Sequence, residues 1–201
     1  MAVEFLATGP AAGPTLVLAH GAGAPMDSEF MNVVASGLAS EGIRVLRFEF
    51  PYMAKRRVDG KRRPPDREPI LLETWRQAVA ECGTARPFIG GKSMGGRMAS
   101  MVADDLGVAG LVCLGYPFHP PGKPDRLRTA HLERLATPSR IIQGTNDPFG
   151  THDDVAGYAL SPAIHLEWFE GGNHDLRAPG VTKAASWGWV VERVAPFLRR
   201  H

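Results

Sequence analysis

The chain has 201 residues, 44% of them hydrophobic, and a formal charge of +2. That length fills one domain around a single core, and near-neutrality argues neither for nucleic acid nor for an anionic membrane surface as partner. Its two cysteines, Cys82 and Cys113, lie far apart and read as buried thiols of a reducing compartment, since a disulfide framework needs more of them.

The opening residues carry no basic segment, Glu4, Gly9 and Pro10 interrupt the apolar ones, and no apolar run reaches the length of a membrane span. The expectation is a cytoplasmic protein without membrane association. Short apolar runs then alternate with amphipathic stretches, the pattern of a mostly parallel sheet of about seven strands covered by helices on both faces. Strands are expected at 3–7, 15–20, 44–50, 87–90, 110–115, 139–143 and 164–169. Several are continuous apolar runs, as strands buried on both faces should be. Helices are expected near 28–40, 68–81, 94–105, 155–159 and 184–199, with Asp27 or Ser28 capping the first. Two connections, 51–69 and 117–129, are rich in proline and charge. No repeat or linker divides the chain, so residues 1–201 read as one α/β domain, three layers deep, with no separate lid domain.

The segment Gly91-Lys92-Ser93-Met94-Gly95 follows the strand at 87–90 and precedes a helix. A G-x-S-x-G turn in that setting forces a serine hydroxyl into an exposed position, the first need of a serine nucleophile. An N-cap in a glycine-rich turn is the plainer alternative for Ser93. A P-loop is excluded, because Arg86 stands where that motif requires glycine.

A nucleophilic serine also needs a base and an acid. Asp147 follows the strand at 139–143, and His174 follows the strand at 164–169. Each sits just beyond a strand's C-terminal end, where open α/β sheets bind ligands. The order serine, acid, histidine is the one this strand-turn-helix device uses. His174 would take the Ser93 proton and Asp147 would hold the imidazole tautomer. A loop histidine and an Asx-turn before Pro148 are the plainer alternatives. Asp175, Asp153 and Asp154 are the fallback acids. The negative charge of acyl transfer calls for two backbone N–H donors. Met94, after the nucleophile, is one. The other is expected in the turn His20-Gly21-Ala22-Gly23, with Ala22 first and Gly23 second.

Taken together, these segments resemble the small bacterial α/β-hydrolases related to dienelactone hydrolase, and more closely the subgroup of testis-expressed protein 30 and its regulatory relatives. The resemblance covers nearly the whole chain. It rests on His20-Gly21-Ala22-Gly23, Phe50-Pro51-Tyr52-Met53, the run from Gly90 to Arg97, the run from Gly115 to Pro124, and the Asp147 and His174 segments. It implies an α/β-hydrolase fold and a hydrolase with a Ser93–Asp147–His174 triad. Dienelactone hydrolase itself has a cysteine nucleophile, so its substrate is not implied.

The stretch 55–67 carries seven basic residues against two acidic ones. It follows a strand end, so Arg56, Arg57, Arg62 and Arg63 are candidates to grip an anionic group on a substrate; a solvated loop is the alternative. Tyr116, Phe118 and His119 lie on a stiff segment that would wall an acyl pocket. No HExxH or clustered Cys/His spacing occurs, so neither metal nor cofactor is expected. The reading is a serine hydrolase of a small ester, thioester or related acyl compound. Its partner would be a small-molecule acyl substrate, with no nucleic acid. A partner-protein module on the same fold, or an acyltransferase, is the competing function.

Overall fold

The computed structural model describes residues 2–200, and its frame is one seven-stranded sheet. In chain order the elements are β1 (Leu6–Thr8), β2 (Thr15–Ala19), α1 (Glu29–Ser40), β3 (Arg44–Phe48), α2 (Pro51–Asp59), α3 (Glu68–Glu81), β4 (Phe88–Lys92), α4 (Met94–Ser100), β5 (Gly110–Leu114), β6 (Ser139–Gly144), α5 (His152–Val155), β7 (Ile164–Phe169) and α6 (Lys183–Arg199). The strands lie in the order β1-β3-β2-β4-β5-β6-β7. All neighbours are parallel except β1, which pairs antiparallel with β3 at the edge.

Strands β2, β4 and β5 are buried along their whole length, which explains their unbroken apolar runs. Alternate residues feed two cores. Leu16, Leu18, Val45 and Phe88 meet α1 and α6 on one face, through Val34, Leu38, Val190 and Val194. Val17, Phe48, Ile89 and Leu111 meet α3 and α4 on the other, through Leu71, Trp75, Met98 and Ala99. The expected three-layer α/β arrangement is therefore present. No helix among the described residues is long and apolar enough to cross a membrane.

Several local expectations differ from the structure; the first strand, expected at 3–7, is β1 at Leu6–Thr8. The connection expected at 51–69 begins with helix α2, which Pro51 opens at its first position and Gly60 closes in the left-handed conformation. Helix α4 stops at Ser100, and the chain continues in tighter turns, Val102 N donating to Ala99 O at 3.1 Å. There the Asp104 carboxylate accepts from the backbone N–H groups of Ala136 and Thr137. The short helix expected at 155–159 lies earlier as α5, because Thr151 and Asp154 close a reciprocal capping box around it. Ser28 is the N-cap of α1 but makes no side-chain cap bond, and Asp27 is committed elsewhere, to Arg57.

Trp75 of α3 ties this scaffold to the turn after β4. It is fully buried, its ring stands 4.9 Å from that of Phe48, and its Nε1 donates to Gly95 O at 3.3 Å. Trp75→Ala is expected to cost ~3–5 kcal/mol, the usual range for a large core aromatic, measured as the shift in urea midpoint at unchanged slope.

Candidate active site

Strand β4 meets helix α4 at Ser93, whose backbone is forced to φ 51 and ψ −118. Only glycine adopts a positive φ freely, so this residue stores strain. The crossing itself needs bare backbone: a Cβ on Gly91 would lie 2.5 Å from the Gly95 carbonyl carbon, and one on Gly95 would lie 2.5 Å from His20 O. Ser93 is held in place by its own N–H, which donates to Leu114 O at 3.0 Å.

The serine hydroxyl lies 2.8 Å from His174 Nε2, and His174 Nδ1 lies 2.8 Å from Asp147 Oδ2. A carboxylate only accepts, so Nδ1 carries the proton and Nε2 is free to accept from the Ser93 hydroxyl. Asp147 is fully buried and receives two further bonds, from Phe149 N at 2.8 Å and from Gln143 Nε2 at 3.0 Å. Gln143 is itself fully buried; its Oε1 accepts from Tyr116 N, and its Nε2 also reaches the carbonyls of Tyr116 and Gly150. It holds the acid's loop to the end of β5. Phe149 covers the imidazole, ring centroids 4.2 Å apart.

The histidine loop is equally fixed. Leu176 has φ 52 and its side chain is fully buried in the α1/α6 core. Asn173 Oδ1 accepts from the N–H groups of Asp175 and Arg177, and Trp187 Nε1 donates to Asp175 O. Lys92 Nζ donates to His174 O at 2.7 Å.

Behind the turn at 20–23, His20 is buried, with Phe50 N donating to its Nε2 at 3.2 Å. Its Nδ1 therefore carries the proton and donates to Gly21 O at 2.6 Å. The Tyr52 hydroxyl donates to Ala22 O at 2.9 Å. In a trans peptide the N–H points opposite the carbonyl, so with Gly21 O turned to His20 the Ala22 N–H points away from it. Met94 is the first residue of α4, and its N–H has no partner within the helix. Burial pushes His20 below its ordinary range, against the raising influence of its bond to Gly21.

Gly21, Ala22, Gly23 and Ala24 border a cleft of about 310 Å³ that contains Ser93, His174, Lys92, Phe30, Met31 and Phe149. The structure thus brings Ser93, His174, Asp147, Ala22 and Met94 to one place. The fallback acids stand apart from the imidazole: Asp154 caps α5, Asp153 is exposed, and the Asp175 carboxylate faces Lys92 at 4.0 Å.

The four candidate arginines do not line this cleft. Arg57 is bound between Glu49 and Asp27, at 2.6 and 2.9 Å. Arg63 pairs with Asp59, Arg56 reaches Gly23 O at 3.3 Å, and Arg62 is exposed. The reason is α2, whose helical geometry turns Arg57 onto Glu49 and Asp27 and ends at Asp59, the carboxylate that takes Arg63 from the segment beyond. Tyr116 and Phe118 are fully buried and His119 nearly so, hence they support the sheet end and do not wall the cleft. Phe30, Met31, Lys92, Phe149 and Gln143 take site positions that the sequence reading did not assign. Lys92 and Phe149 were legible as immediate neighbours of Ser93 and of the Asp147-Pro148 turn.

A family model described as an alpha/beta hydrolase domain matches residues 12–199. The chain belongs to the α/β hydrolase family. Its fold is shared with an alpha-beta serine hydrolase homologue from Coxiella burnetii, at TM-score 0.72 and 19% identity, covering 98% of this chain and 91% of that one. It is also shared with the ferulic acid-bound Est1E of Butyrivibrio proteoclasticus (TM-score 0.74, 14% identity, 98% and 94% covered). The monoacylglycerol lipase of Paleococcus ferrophilus is similar to the same degree (TM-score 0.71, 15% identity, 98% of each chain). A lipase of Eremothecium gossypii is 32% identical over 105 residues, and the matched stretch covers 47% of this chain and only 19% of that protein.

Two outcomes follow from the buried polar groups of this α/β hydrolase domain. Gln143→Leu leaves Tyr116 N–H and one lone pair of Asp147 without a partner, and is expected to cost ~2–4 kcal/mol in denaturant titration. His20 and His131 are both held below their ordinary range, mainly by burial. The unfolded chain therefore takes up protons that the folded one refuses. Their contribution is present above about pH 6.5 and lost as pH falls below it, so the melting temperature should drop between pH 7 and pH 5. His131→Gln should make that slope shallower.

Proposed function

We propose that this protein is a serine hydrolase of small esters or thioesters, with Ser93 as nucleophile, His174 as base and Asp147 as orienting acid. The observation that carries this is the unbroken chain of contacts from Ser93 Oγ to His174 Nε2 and from His174 Nδ1 to Asp147 Oδ2, each 2.8 Å. Ser93 Oγ attacks the acyl carbon while its proton passes to His174 Nε2. The carbonyl oxygen becomes an oxyanion, for which the N–H groups of Ala22 and Met94 are the donors. Collapse expels the alcohol or thiol, which takes the proton from His174, and leaves an acyl-Ser93 ester. Water then attacks with His174 again as base, releasing the acid and restoring the serine.

The cleft volume of about 310 Å³ favours a short acyl chain. Its mouth opens directly on solvent beside the exposed Ala22, Gly23 and Ala24, which favours a water-soluble substrate. The two free buried cysteines fit a reducing, cytoplasmic setting. The glycine-flanked Lys-Ser-Met run and the Phe-Pro-Tyr-Met block support kinship with the dienelactone hydrolase relatives, in the subgroup of testis-expressed protein 30.

A fluorophosphonate is expected to label Ser93 alone, located by mass spectrometry of the folded protein; a label elsewhere, or none, sinks the assignment. Ser93→Ala and His174→Ala should each lower kcat by about 10³-fold or more, and Asp147→Asn by a similar or smaller factor, in ester hydrolysis followed by pH-stat.

A further inference from the structure

The residue immediately before the nucleophile is a lysine, and the fold gives it a place that the reaction above does not use. Lys92 ends β4, where alternation along the strand sends its side chain to the α1 face with Phe88 and Gly90. Its side chain is only 11% exposed, yet it borders the cleft beside Ser93 and His174. The Nζ makes one hydrogen bond, to His174 O at 2.7 Å. The Asp175 carboxylate stands at 4.0 Å, beyond hydrogen-bond reach, and the Phe30 ring centroid at 6.0 Å.

An ammonium has three N–H donors and no acceptor, so two of them have no close protein partner here. Taking a cation this far out of water is costly, and one carbonyl does not offset that cost. A tether for the His174 loop needs no charge; a neutral donor would serve it at lower cost. Burial does push the amine down, to about 8, while the charges of Asp175 and Asp147 oppose the shift, so the group remains protonated at neutral pH. Lys92 is also the one cation among the described residues that line the cleft; Arg56 and Arg57 border a separate depression that also contains Glu49. The walls beside it, Phe30, Met31 and Phe149, are apolar and would take a short methylene chain.

We propose that Lys92 is a specificity-determining cation that binds a carboxylate carried by the substrate, so that the preferred substrate is the half-ester or half-thioester of a short dicarboxylic acid. This rests on the hydrolase reading of the same cleft. The two free N–H groups of Lys92 take the carboxylate, and the exposed Asp175 side chain, which shares the rim, is its competitor.

The test compares mono-ethyl glutarate with ethyl valerate, esters of equal acyl length with and without the charge, in the full-length protein at pH 7. A charge-assisted bond of this kind is worth about a 10- to 100-fold preference in kcat/KM. We expect that preference in the wild type, carried mainly by KM, and its loss in Lys92→Met. Asp175→Asn should raise it several-fold, because the competing carboxylate is gone. Glutarate itself, titrated calorimetrically, should bind the wild type at least tenfold more tightly than Lys92→Met. Equal losses of kcat for both esters with an unchanged ratio would make Lys92 a tether for His174 only, and overturn the proposal. Should Lys92→Met not fold, Asp175→Asn decides: a ratio that stays level or falls overturns it. Glutarate binding that depends on Lys92, without turnover of either ester, would sink the hydrolase reading and uphold the anion site. Turnover without preference would sink the anion site alone.

Discussion

Strand β4 and helix α4 touch backbone to backbone, and the rest of the molecule is arranged around that contact. A side chain at Gly91 would drive the strand and helix apart, one at Gly95 would drive the helix off the end of β2, and the turn would relax. Kept this close, the turn has no room to bury Ser93, and the hydroxyl projects from the C-terminal edge of the sheet. The neighbouring parallel strands end at the same edge. The turn after β2 arrives from one side, and the loops after β6 and β7 arrive from the other. Parallel order and right-handed crossovers bring loops far apart in sequence to one rim.

The second requirement is rigidity, and it is met by buried polar groups together with apolar packing. Asp147, Gln143 and His20 are fully buried, and each has its hydrogen-bonding atoms committed to named partners. Such networks are worth keeping only when complete, because a buried polar atom without a partner costs as much as the network gains. The imidazole is thereby fixed from three directions: the acid below, the Phe149 ring alongside, and Lys92 on the backbone carbonyl of His174. A site held in this manner keeps its geometry without a ligand to order it.

Much of this was legible in the sequence, for reasons that can be named. Continuous apolar runs separated by amphipathic stretches specify a parallel sheet covered on both faces. The order of Ser93, Asp147 and His174 along the chain follows the order in which the late strands end. Residue types with a distinctive chemistry at a strand end are visible before any coordinates. The rest depended on pairings that one residue does not advertise. Gln143 looked like an ordinary strand terminus, since nothing local shows that its amide meets Asp147. Helix α2 was hidden by its charge, although Pro51 and Gly60 marked its two ends. Arg57 appeared free because its partners, Asp27 and Glu49, lie outside its own helix. Tyr116, Phe118 and His119 looked like a wall because the depth at which their segment enters the fold is a tertiary property.

Among the described residues, two non-glycine positions have a positive φ, Ser93 and Leu176, and they belong to the two segments that set the Ser93 hydroxyl against His174. Conformations of this kind cost ~1–3 kcal/mol each, a cost met by the packing around them. Position 93 therefore places stability and chemistry in opposition. A glycine there would relieve the turn and stabilise the fold while removing the hydroxyl that meets His174. Relief of the backbone and the hydroxyl's contact with His174 exclude each other at this one position.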